Sequence, residues 1–93
     1  MSPLFRRKAP QDRLVTLVGK PGCHLCDDAR AVVEKVCGDL GAVWEEKDIT
    51  RDPELHERYW EQIPVVLVDG RQHTFWRVDE ARLRKALTDR ERD

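Results

Sequence analysis

The stretch Leu14-Val15-Thr16-Leu17-Val18-Gly19-Lys20-Pro21-Gly22-Cys23-His24-Leu25-Cys26 decides how the rest of the chain is read. Its first residues, Leu14 to Val18, form a nearly continuous apolar run, the pattern of a strand covered on both faces. Gly19-Lys20-Pro21-Gly22 reads as a loop, punctuated by glycine and proline. From Cys23 the period becomes helical, with Cys26, Ala29, Val33, Val36, Cys37 and Leu40 on one face of a helix over residues 23–40. Asp27 and Asp28 lie in its first turn, where acidic side chains suit the positive end of the helix dipole. Gly38 and Gly41 mark its exit. The spacing C-x-x-C therefore falls where a strand, a Pro-Gly loop and a helix meet.

Downstream, residues 42–49 read as a second strand, more polar than the first and so nearer an edge. Asp52-Pro53 supplies an N-cap followed by proline at the first helical position. Leu55, Tyr59 and Ile63 trace the buried side of a helix over residues 53–62. Val65-Val66-Leu67-Val68 is a third strand, Asp69-Gly70 a hairpin turn and residues 72–77 a fourth strand. Asp79 or Glu80 opens a last helix, with Ala81, Leu83 and Leu87 facing inward. The order is β-α-β-α-β-β-α. A strand–helix–strand unit implies a parallel pair with a right-handed crossover, and the hairpin makes the last pair antiparallel. The expected fold is an α/β sandwich: a four-stranded mixed sheet with helices on both faces.

The chain has 93 residues, with 17 Lys and Arg against 18 Asp and Glu for a net charge of −1. Hydrophobic residues make up 40% and charged residues 38%, enough for one core under a heavily ionised exterior. This size excludes a two-domain enzyme, and the lack of net basic charge argues against nucleic-acid binding. No window approaches the about 20 apolar residues of a membrane span. Residues 1–12 carry Arg6, Arg7 and Lys8 without periodicity and lack the apolar centre of a signal peptide, so a mobile leader is expected ahead of a domain over residues 13–93. Residues 90–93 are expected to fray.

At a helix start, unpaired N–H groups and the dipole favour an anion, so the thiolate of Cys23 is expected to be stabilised. Lys20 and a protonated His24 would reinforce that; Asp27 and Asp28 would oppose it. Cys26, one turn inward, is more shielded yet within reach of Cys23. The asymmetry suits Cys23 as attacking nucleophile and Cys26 as resolving thiol. A zinc site needs about four ligands, and Cys37, His24, His56 and His73 are too scattered to supply the rest. Cys37 reads as a buried core thiol, His56 and His73 as surface residues, and Trp76 as core or groove wall. Arg77, Arg82, Arg84 and Lys85 place positive charge around the last helix, a weak preference for anionic thiol partners.

With the strand, the loop Lys20-Pro21-Gly22-Cys23-His24-Leu25-Cys26 and the later Ile63-Pro64 in place, the chain resembles the glutaredoxin-like branch of the thioredoxin superfamily. The resemblance implies sheet order 2-1-3-4, with Cys23 as nucleophile and Cys26 as resolving thiol. It implies a cis bond before Pro64, with the Ile63 backbone pairing to an extended thiol peptide. Lys20 resembles the lysine that glutaredoxins set near a glutathione carboxylate, and Asp79 or Glu80 would meet a glutathione amino group. The chain departs from the family where glutaredoxins carry a Gly-Gly pair: here the stretch is Phe75-Trp76-Arg77-Val78-Asp79.

The resulting expectation is a small, cytoplasmic, monomeric thiol–disulfide oxidoreductase with no metal or organic cofactor, drawing electrons from an external thiol or reductase. Its partners would be a disulfide-containing protein or a low-molecular-weight thiol, with neither nucleic acid nor membrane involved. Cys23 and Cys26 would carry the chemistry, and Lys20, His24, Ile63, Pro64, Trp76 and Asp79 would contact substrate. The alternative is a non-enzymatic thioredoxin-fold binding module, or a metal or iron–sulfur site built on the same cysteines.

Overall fold

The apolar run beginning at Leu14 forms β1 (Leu14–Gly19), and the amphipathic segment after the Pro-Gly loop forms α1 (His24–Leu40) in the computed structural model, which describes residues 9–88. There follow β2 (Val43–Asp48), a 3₁₀ turn (Ile49–Arg51), α2 (Pro53–Tyr59), β3 (Val65–Val68), β4 (Arg71–Phe75) and α3 (Glu80–Thr88). The strands lie in the order β2-β1-β3-β4. β1 runs parallel to β2, with Leu14 opposite Val43 and Gly19 opposite Asp48. It runs antiparallel to β3, with Val18 opposite Val65. The element order, mixed sheet and strand order all match the sequence reading.

Alternation along β1 and β3 divides the core in two. Val15, Leu17, Val66 and Val68 face α1 and α3, packing on Ala29, Val33, Val36, Cys37, Leu83 and Leu87. Val18 and Val65 face the other way, onto Ile49 and Tyr59. Asp52 starts α2 by accepting from the Glu54 and Leu55 amides at 3.1 and 3.2 Å. At the far end of the sheet, the Asp69 carboxylate accepts from the Leu14 amide and from Arg13, each at 2.9 Å, tying the hairpin turn to the start of β1.

Several details differ from the sequence reading. Gly19 belongs to β1 rather than to the loop. The helix expected to run to residue 62 ends at Tyr59, where the chain must turn toward Pro64. The fourth strand begins at Arg71 and ends at Phe75, before the expected residue 77. Ala81 is exposed, because only Leu83 and Leu87 of α3 reach the core. His73, expected at the surface, is half-buried. A bulge causes this: Val66 pairs with Thr74 but Leu67 with Gln72, so His73 is the extra residue and strict alternation fails. Within the expected leader, Pro10–Asp12 form a 3₁₀ turn; residues 1–8, and the C-terminal residues 90–93, lie outside the described part.

Candidate active site

Parallel pairing of β1 with β2 sends the chain out of the sheet at Gly19, and the return loop delivers Cys23 to the start of α1. Gly22 has φ of 77°, a left-handed value that glycine adopts without steric cost. Cys23 then takes extended angles (φ −104°, ψ 118°) and acts as the N-cap, its sulfur accepting from the Cys26 amide at 3.3 Å. A sulfur in this position satisfies one of the unpaired amides at the helix start and lies at the positive end of the dipole.

The two thiols differ in environment. Cys23 is partly exposed, whereas Cys26 is only 1% exposed, one turn into the helix. Burial pushes the Cys26 thiol up to about 11, with the neighbouring Cys23 sulfur adding to the rise and the Lys20 backbone opposing it. Gly19 lies directly against Cys26: a Cβ at position 19 would come within 2.8 Å of the Cys26 sulfur. This close approach escaped the sequence reading; the one available signal was a glycine ending a strand just ahead of the cysteine pair. Cys37 is buried in the main core, as expected, and burial raises its thiol as well.

The Ile63–Pro64 bond is cis, the geometry the resemblance implied. Because Val18 pairs with Val65, Pro64 enters β3 beside the end of β1 from which the cysteine loop departs. Trp76 fastens this corner. Its amide donates to the carbonyls of Pro64 at 2.8 Å and Gln62 at 3.2 Å, and its indole Nε1 donates to the Glu61 carbonyl at 3.0 Å. It does so with φ of 66°, a strained value for a non-glycine residue. Trp76 is a groove wall, with Val78 beside it, facing Leu25 and Val32 of α1.

The remaining expected substrate contacts are placed as follows. Lys20 is exposed in the loop, and His24 is exposed as the first residue of α1. Ile63 is half-buried against the smaller core cluster. Asp79 serves as the cap of α3, accepting from the Ala81 and Arg82 amides at 2.8 and 3.2 Å. Arg84, one of the cations expected to attract anionic thiols, is held by Asp39 at 2.6 Å and Glu80 at 2.9 Å. Among the described residues, no group of three or more His, Cys, Asp or Glu side chains converges. No helix there is long and apolar enough to cross a membrane.

Residues 14–88 match the family model described as Glutaredoxin-like domain (DUF836). An uncharacterized protein of Mycobacterium tuberculosis is 35% identical over 75 residues, covering 75% of this chain and 77% of its own. The X-ray structure of a structural-genomics target protein from X. campestris superimposes with a TM-score of 0.65 at 32% identity, covering 78% of this chain and 93% of that one. A mutant thioredoxin from Halobacterium salinarum shares the fold, with a TM-score of 0.65 at 20% identity over 85% of this chain and 74% of its own.

Proposed function

This chain belongs to the Glutaredoxin-like domain (DUF836) family, and we propose that it is a small thiol–disulfide oxidoreductase in which Cys23 attacks and Cys26 resolves. The observation that carries the reading is the cysteine pair itself. The sulfur of the partly exposed Cys23 caps the helix and accepts from the amide of a second, buried cysteine one turn below it. The Cys23 thiolate attacks a substrate disulfide, forming a mixed disulfide and releasing one substrate thiolate, which takes up a proton. Cys26 then gives up its proton and attacks the Cys23 sulfur, breaking the mixed disulfide, expelling the second substrate sulfur as a thiol and closing a Cys23–Cys26 disulfide. An external dithiol restores both thiols, giving up two electrons and two protons and leaving as its own disulfide. The high position of the Cys26 thiol keeps it protonated near neutral pH, so it stays out of the first step. Lys20 of the loop and His24 at the start of α1 are proposed to attend the incoming substrate, and a reducing cytoplasm is the compartment that suits a pair kept reduced.

Trapping tests the reading. With Cys26 replaced by serine, reaction with a disulfide stops at the mixed disulfide, and an adduct accumulates on Cys23 that peptide mapping identifies. The intact chain should release its substrate and retain no adduct. An adduct on Cys37, or none on any cysteine, contradicts the assignment.

A further inference from the structure

Beside the dithiol lies a groove that thiol exchange alone does not require. Leu25, Ala29 and Val32 of α1 line one side of it, and Trp76 and Val78 line the other. Leu25 lies between the two cysteines in sequence yet is 40% exposed, and Trp76 is 53% exposed. Leu25 rides on the first turn of α1, and Trp76 is fixed by its backbone and indole bonds to the segment leading into Pro64. A tryptophan held in the left-handed region is backbone strain of the kind that clusters at functional sites.

The size and charge of the groove narrow the occupant. Its volume is about 200 Å³, below the ~300–1,000 Å³ of pockets that enclose whole small molecules. The rim carries Asp28 on one side and Arg77 on the other. The groove therefore offers no net positive charge to an anionic thiol, and its apolar centre with a mixed polar rim is the anatomy of a protein-recognition patch. Resting on the oxidoreductase reading above, we propose that this groove takes one apolar side chain of a disulfide-bearing polypeptide while Cys23 engages that polypeptide's sulfur. Trp76 and Leu25 then set substrate choice, and the substrate is a protein rather than a small anionic thiol such as glutathione.

The test uses the reduced full chain and three probes. Two are hexapeptides with a single cysteine held as a mixed disulfide with 2-mercaptoethanol, flanked by leucines in one and serines in the other; the third is oxidised glutathione. The leucine peptide should be reduced at least about tenfold faster than the serine peptide, since even one methylene in a hydrophobic pocket is worth ~10–200-fold. Trp76→Ala and, on the opposite wall, Leu25→Ser should each bring that ratio down toward one. Val43→Ser, at an exposed position on the β2 edge, should leave it intact. A leucine-to-serine ratio near one in the intact chain, glutathione outrunning the leucine peptide, or a ratio unmoved by both groove variants would each overturn the groove assignment. If none of the three probes is reduced, the oxidoreductase reading itself fails and takes the groove with it.

Discussion

Gly19 governs how closely the dithiol can pack against the sheet. Its missing side chain leaves the space that the Cys26 sulfur occupies, so Gly19→Ala puts a Cβ 2.8 Å from that buried atom and forces something to shift. We expect the variant to lose about 1–3 kcal/mol of stability in urea unfolding of the reduced protein, with slower closure of the Cys23–Cys26 disulfide. An unchanged midpoint and closure rate would show that the helix start yields freely. The placement of Cys23 at the start of α1 and of Cys26 one shielded turn below it was legible in sequence because it follows from spacing and a helix start, both local. The close approach of Gly19 to Cys26 and the left-handed backbone of Trp76 were not. Each depends on a contact with a segment distant in sequence or on backbone angles that residue type does not announce: tryptophan is among the least expected occupants of a left-handed position.

At the level of elements, the helices that carry the site are set by their caps. Cys23, Asp52 and Asp79 begin α1, α2 and α3 respectively, each by accepting from amides of the first turn. For α2, with only seven residues, the cap is a large share of its local stability. Asp52→Ala should therefore cost about 1 kcal/mol in denaturant unfolding, while Asp52→Asn, which can still accept, should cost less. Equal losses in the two would mean that the charge and not the hydrogen bond matters. Asp52-Pro53 was readable in advance because capping chemistry is confined to neighbouring residues. The end of the same helix was not, since it is fixed by the need to reach Pro64 and pair Val65 with Val18. The bulge at His73 eluded the period-of-two pattern for a similar reason: it is a property of the β3–β4 pair, not of either strand.

For the whole molecule, buried titratable groups shape stability from both ends of the pH scale. Burial, with Arg82 nearby, holds His73 below its usual range, and its buried Nε2 has no hydrogen-bond partner. The folded chain thus binds that proton less readily than the unfolded chain, so stability is present above about pH 6.5 and is lost as pH falls. Asp39, beside Arg84 and Lys35, and Asp48, bonded to Thr50, are both lowered, and their loss comes only in more acid solution. Cys26 and Cys37 have the opposite sign: raised in the folded state, they hold stability below about pH 9 and lose it as pH climbs through their folded values. His73→Gln should accordingly flatten the decline in thermal midpoint between about pH 6.5 and 5 without altering the alkaline side; an acid decline identical to that of the parent would assign it to other groups. The same burial sorts the cysteines by access, leaving Cys23 partly exposed and Cys26 and Cys37 at 1% each. Time-resolved alkylation of the fully reduced chain near neutral pH, read by peptide mapping, reports all three at once. Labelling of Cys23 should run at least about tenfold ahead of Cys26 and Cys37. Equal, slow labelling of Cys23 and Cys26 would contradict the division of labour on which the proposed chemistry stands.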